Sequence, residues 1–150
     1  MIAMSTTYNH FMVGAIVTAV ATDLPTIGKV AVGAGLVVGH FALDLIPHQH
    51  AHDLYRWRES WGTKIGILAD AVLSFTVFLW ALLHTAQPIL LVAYCSAANL
   101  VDLDVFTKRG RIHDWHVLMH AGWQGLSKTE LWVWEMAQTA LLISAYISLY

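Results

Sequence analysis

The chain has 150 residues, of which 57 % are hydrophobic and only 12 % are charged. This composition excludes an intrinsically disordered chain and is not that of an ordinary soluble domain. Ten acidic and eight basic side chains leave a formal charge of −2, which excludes nucleic-acid binding through a basic patch. The single cysteine, Cys95, excludes an intramolecular disulfide.

Apolar residues form five runs that are separated by prolines, charges and polar clusters, over residues 5–22, 26–46, 61–84, 88–106 and 128–150. About 20 helical residues cross the hydrocarbon core of a bilayer. The runs therefore predict an all-α, polytopic membrane protein. We expect one domain over residues 1–150, a compact bundle of about five transmembrane helices, or four if the first run does not span.

Basic residues are unevenly divided between the connections that these runs leave. Only Lys29 accompanies the two short turns, whereas the two long loops and their flanks carry Arg56, Arg58, Lys64, Lys108, Arg109, Arg111 and Lys128. Because cytoplasmic loops are enriched in Lys and Arg, the long loops and the amino terminus are predicted to be cytoplasmic.

Polar and ionisable residues inside the apolar runs cluster toward one side. With alternating helix directions they all fall in the predicted cytoplasmic half: His10, His40, Asp44, Asp70, Asn99, Asp102, Glu130 and Glu135. An ionisable group in an apolar core costs about 2.5 to 3.5 kcal/mol, so each of them requires a reason. Their convergence predicts a functional site.

The spacing of these residues favours a metal site. His40 and Asp44 are four residues apart and share a helix face, and Pro47 then ends the helix before His48. Imidazole and carboxylate ligands are typical of Zn²⁺, with Mn²⁺ or Fe as alternatives. Further candidates at matching depth are Asp70, Asp102 and His116, the last at the centre of a His113, His116 and His120 face.

Purely structural roles remain open for several of these candidate ligands. His10 could form an interhelical hydrogen bond, His40 and Asp44 could be a hydrogen-bonded pair, and Asp70 could be a buried packing contact. Cys95 has apolar neighbours and no adjacent base, so we do not expect it to be a nucleophile.

Several of these motifs resemble small bacterial inner-membrane proteins described as membrane-bound metal-dependent hydrolases. The resemblance rests on His10 followed by Gly14, on Gly39-His40 with Asp44, Pro47 and His48, on Asp70, and on Asp102 with Asp104. It implies a bacterial inner-membrane location and a compact helical domain that holds a divalent metal for hydrolysis. The ligands that it implies are His10, His40, Asp44, His48, Asp70 and Asp102.

The predicted function is hydrolysis of a lipid or lipid-linked (phospho)ester at the cytoplasmic leaflet by a metal-bound hydroxide. Glu135 or Asp104 is the expected general base. The alternatives are a non-catalytic metal-binding or structural subunit of a membrane complex, and a haem or pigment protein with two axial imidazoles. We expect a membrane lipid or lipid-linked substrate as partner, and no nucleic acid. A homo-oligomer and a partner in a membrane complex both stay open.

Overall fold

A computed structural model of the chain describes residues 7–43, 45, 61–101, 111, 114, 115, 118, 126 and 128–149. Five helices have described bounds: α1 (Thr7–Ala21), α2 (Thr26–Leu43), α3 (Trp61–His84), α4 (Pro88–Asn99) and α5 (Lys128–Leu149). The described residues are thus almost entirely helical.

Pro25 and Pro88 mark two of the helix starts. Pro88 occupies the first turn of α4, where the missing N–H is not needed, and Gln87 precedes it as the N-terminal cap residue. The Pro25 carbonyl accepts from the Lys29 N–H at 3.0 Å, which begins the hydrogen-bond ladder of α2. Local chain chemistry therefore accounts for the two short turns, α1–α2 and α3–α4.

α1 is the central helix, because it contacts each of the other four. Its residues Met12 and Ala15 enter one buried apolar cluster, whose other members come from three helices: Ala81, Leu91, Cys95 and Tyr146. The Tyr146 hydroxyl donates to the Val77 carbonyl at 3.1 Å and so links α5 to α3. α1 therefore supplies the centre of the core, although Val20 near its end is 68 % exposed.

Gly14 lets α4 approach α1 closely. A Cβ atom at this position would lie 2.7 Å from the Cys95 Cα and 2.8 Å from the Cys95 backbone nitrogen. Such separations are well inside van der Waals contact, so only a residue without a side chain fits. The approach leaves the start of α1 beside the end of α4, and both short turns lie at the opposite end of the bundle.

The prediction of membrane-spanning helices is wrong. Within the part of the chain that the structure describes, no helix combines the length and the apolar character that crossing a bilayer demands. α1 and α4 have 15 and 12 residues, short of the roughly 20 that a span needs. The longer α3 and α5 contain charged residues, among them Lys64, Asp70 and Glu130.

The fourth predicted run also differs from the observed helix. Within the run over residues 88–106, α4 ends at Asn99. The Leu100 N–H that follows donates to the Ala97 carbonyl at 3.3 Å. This three-residue step closes the helix, and residues 102–106 lie outside the described part of the chain.

Replacing Gly14 by alanine is expected to lower the free energy of unfolding by about 1 to 3 kcal/mol, because the new methyl group meets the α4 backbone. Gly35→Ala is the matched control on α2. No atom lies within 4 Å of its Cβ position, so this change should add about 0.5 to 1 kcal/mol through helix propensity. Denaturant unfolding of both variants measures the difference, and equal stabilities would contradict the close packing.

Candidate functional site

Buried polar side chains lie toward one end of the bundle. Thr18 is in the turn half of α1 and donates its hydroxyl to the Gly14 carbonyl at 2.8 Å. Of the other buried polar side chains of the described residues, Asp70 and Ser74 lie in the middle of α3 and Thr139 in the middle of α5. Asn9, His10 and His40 lie at the end where α1 begins and α2 ends. We call this end the polar end.

Two histidines meet at the polar end. The rings of His10 on α1 and His40 on α2 stack with their centroids 4.2 Å apart and their planes 15° from parallel. Their exposed fractions are 3 % and 1 %, so both side chains are almost fully buried. The pair joins the first turn of the central helix to the last turn of α2.

A backbone carbonyl sets the proton position on His40. The Nδ1 atom of His40 lies 2.7 Å from the Ala98 carbonyl oxygen on α4. A carbonyl oxygen only accepts hydrogen bonds, so Nδ1 carries the proton and donates. In the neutral ring the lone pair is then on Nε2. Histidines that act as bases or ligands through Nε2 are oriented by this kind of bond.

Ring contacts extend the polar end toward Trp115, a helical residue. The Phe41 ring stands edge-on to the His40 ring and, at 6.5 Å, to the ring of Trp115. Trp115 is next in sequence to the predicted ligand His116, whose own position lies outside the described residues. Trp115 itself therefore lies beside the end of α2.

The predicted metal-binding group is not found. Among the described residues there is no set of three or more His, Cys, Asp or Glu side chains placed to hold a metal ion. Asp70 is buried on α3, yet it does not join His10 and His40 in such a set. For the described part of the chain, the prediction of a zinc-binding site is thus wrong, because the helices bring together only two imidazoles.

Other predicted site residues are not tested. Glu135 is on α5, but its side chain is not among those described. The remaining ones lie outside the described residues: Asp44, His48, Asp102, Asp104 and His116. Their roles stay predictions.

Sequence reasoning missed an amide in the first helix. Asn9 on α1 has an exposed fraction of 2 %, and its Oδ1 accepts from the Thr139 hydroxyl of α5 at 3.3 Å. An Asn directly before His10 in an apolar run, and Thr139 within another such run, were signals of the same kind as the ionisable residues.

The opposite end of the bundle carries a contrasting histidine. His84, the last residue of α3, stacks on the Trp80 ring at 4.2 Å, and its Nδ1 lies 2.7 Å from the Trp80 carbonyl oxygen. Like His40, it therefore carries its proton on Nδ1. Its side chain is exposed, however, and both of its contacts are to a residue of the same helix. This difference makes it a useful reference for the buried pair.

No known protein family matches the chain, and neither a curated protein nor a solved structure shows significant similarity to it. The resemblance to metal-dependent hydrolases therefore stays a prediction.

Cys95 is expected to be chemically inert in the folded protein. Burial raises the pKa of its thiol to about 12, so at pH 8 only about one molecule in ten thousand carries the reactive thiolate. Iodoacetamide should label Cys95 slowly at pH 8, faster as the pH rises, and rapidly after unfolding in guanidinium. Rapid labelling of the folded protein would contradict this.

Proposed function

We propose that this chain is a hydrolase that acts on an ester bond of a lipid or lipid-linked molecule, with its chemistry at the polar end. The observation that carries the proposal is the His40 ring, which is buried against His10 with its proton held on Nδ1 by the Ala98 carbonyl. A histidine with this fixed tautomer is equipped to exchange a proton through Nε2.

The proposed reaction begins with His40 as a general base. Its Nε2 lone pair takes a proton from water while the water oxygen attacks the acyl carbon or phosphorus. The imidazolium then returns the proton to the departing alkoxide, so the side chain ends as it began. The hydrogen bond from Nδ1 to Ala98 persists throughout and keeps the ring in place.

The stacked partner supports a single proton on the pair. Two imidazolium rings with centroids 4.2 Å apart would repel each other strongly in a buried site. Once His40 has accepted a proton, His10 therefore stays neutral, and the pair favours rapid release of that proton. This is the property that a general base needs before it can act as an acid.

The described residues do not fit a divalent metal, since they supply two imidazoles and no third ligand. No step of the proposed reaction uses a metal. The predictions of Glu135 or Asp104 as base rest on side chains that the structure does not describe.

Exposed apolar side chains at the turn end support a lipid substrate. The two turns and the adjoining helix ends expose Val20, Leu24, Ile27, Val30, Leu83 and Ile89, a set that we call the apolar tip. Ile27 and Ile89 are 80 % and 86 % exposed. Contiguous exposed apolar surface marks a site of contact with lipid or protein. We propose that the apolar tip inserts into lipid, which brings the substrate to the protein.

Two alternative functions are a structural subunit of a complex and a haem protein. A structural subunit of a complex would also cover the apolar tip, and this second candidate predicts no hydrolysis. Axial ligation of haem does not fit the histidine pair, because stacked rings face each other and do not direct their nitrogens at a common iron from opposite sides.

His40→Gln is expected to lower the hydrolysis rate 10²- to 10⁴-fold, as loss of a general base does. The assay follows chromogenic acyl esters and phosphodiesters in mixed micelles. His84→Gln is the matched control, since it removes an equivalent ring and Nδ1–H donor at the exposed end, and it should keep full activity. Circular dichroism confirms folding of both. Equal rates for the folded variants, or no hydrolysis by the unaltered protein, would refute the proposal.

Replacing Ile27 and Ile89 together by aspartate should abolish flotation with phosphatidylcholine vesicles, because charge in the apolar tip opposes insertion. Ile65→Asp is the control: Ile65 is 52 % exposed near the start of α3, away from the turns. Flotation should resist high salt, since the contact is apolar. Undiminished flotation of the double variant would show that lipid binds elsewhere.

A further inference from the structure

A groove separates α3 from α5 in the half of the bundle near the turns. Both helices pack against α1, but they make almost no direct contact with each other. The space between them has a volume of about 250 Å³ and is lined by Thr76, Val77, Trp80, Tyr146 and Ile147. We call it the α3–α5 groove. It exists because α1 holds two neighbours that do not meet.

The Tyr146 side chain holds the two walls of the groove apart. It is 8 % exposed and belongs to the buried apolar cluster, and its hydroxyl donates to the Val77 carbonyl on the facing helix at 3.1 Å. The phenol ring therefore stands between α3 and α5 as a spacer. Closing the groove would displace this ring from a packed core, so the groove is present before a ligand binds.

The lining of the groove offers contacts with hydrocarbon and little hydrogen bonding. Both of its hydroxyl groups donate to backbone carbonyls, Tyr146 to Val77 and Thr76 to Val72, the latter at 2.7 Å. The surface that the groove presents is almost wholly apolar. A polar ligand would lose hydrogen bonds to water here and gain few in return. The lining therefore favours a hydrocarbon group.

The position of the groove favours an occupant from a lipid surface. The segments that join α2 to α3 and α4 to α5 leave from the polar end, whereas the groove lies near the turns. Leu83 follows Trp80 by three residues on α3 and belongs to the apolar tip. The groove therefore adjoins the surface that is proposed to contact lipid.

The size of the groove favours a slender occupant. Its volume of about 250 Å³ is below the range of about 300 to 1,000 Å³ that is typical of pockets for drug-sized ligands. A helix of a partner protein, with a diameter of about 10 Å, does not fit into such a space. A single acyl chain needs only a narrow apolar channel.

We propose that the α3–α5 groove binds one acyl chain of a bilayer lipid. The chain lies between Val77, Trp80 and Ile147, and its burial removes apolar surface of both partners from water. Binding is reversible and forms no covalent bond. The inference rests on the proposed contact with lipid but not on hydrolysis, because the groove and the pair of His10 and His40 share no residue.

Photo-cross-linking tests the proposal. The protein is mixed with phosphatidylcholine vesicles in which one acyl chain of the lipid carries a diazirine, and it is then illuminated, digested and analysed by mass spectrometry. Labels are expected on Trp80 and Ile147, which line the groove from two different helices. Flotation of the same sample measures whether the protein has bound to the vesicles.

Ile147→Trp is designed to fill the groove. Ile147 is 71 % exposed, so a larger side chain does not disturb the core. It should lower the labelling of Trp80 about tenfold, as excluding about two methylenes from the groove would. The matched control is Val92→Trp, which fills a different apolar groove, of about 400 Å³, beside α4, and it should leave this labelling unchanged. Thr76→Trp blocks the groove from α3 if circular dichroism shows that Ile147→Trp is unfolded.

The outcomes separate this inference from the proposed function. Labelling of Trp80 that Ile147→Trp removes and Val92→Trp keeps supports the inference, whether or not the protein hydrolyses esters. Flotation without labels in the groove overturns the inference alone, and absence of flotation overturns the contact with lipid as well. Labelling by a diazirine fatty acid but not by phosphatidylcholine would show that the ligand is a free fatty acid. A dimer that Ile147→Trp dissociates would show that a second copy fills the groove. Either of these last two results overturns the inference.

Discussion

The close approach of α1 and α4 at Gly14 is the constraint on which the rest of the arrangement depends. With no side chain between them, the backbone at Gly14 meets the backbone at Cys95. One turn further along α4, this approach places the Ala98 carbonyl at the polar end, where His40 donates to it. His10, one turn before Gly14, then stacks on His40. One glycine thus sets the spacing of three helices around the buried pair.

The position of α1 at the centre explains why its polar residues need such specific partners. A side chain on a peripheral helix can turn to solvent, whereas Asn9 and His10 on the central helix are almost fully buried. Their burial is tolerable only where other elements supply hydrogen bonds or ring contacts. Thr139 on α5 supplies a hydrogen bond to Asn9, and His40 on the next helix, α2, supplies a ring contact to His10.

The bundle combines a few buried polar side chains with much exposed apolar surface. Asn9, His10 and His40 are buried where α1 begins and α2 ends, the apolar cluster around Met12 and Leu91 lies in the middle, and exposed apolar side chains occur on every helix, those beside the two turns included. An enzyme that meets its substrate at a lipid surface requires both features, a dry polar site and an apolar face to hold lipid. The proposal of a hydrolase that acts on lipid rests on the presence of both features.

The sequence by itself determined that the chain is helical and where most helices begin. The predicted runs start at residues 26, 61, 88 and 128, which are the first residues of α2 to α5. Prolines and polar clusters act locally, so such boundaries can be read from neighbouring residues. The inferred membrane spans went beyond this local information. Apolar composition does not fix where a helix ends, and α1 and α4 end too early to cross a bilayer.

Only the tertiary structure decided which polar side chains meet. Residue spacing placed His10, His40 and Asp70 at similar depth, but the helices bring the two histidines into contact and keep Asp70 out of a shared ligand group. The bond between Asn9 and Thr139 joins residues 130 positions apart. Helical periodicity fixes a residue's direction within its own helix, whereas its partner depends on how distant helices rotate and pack.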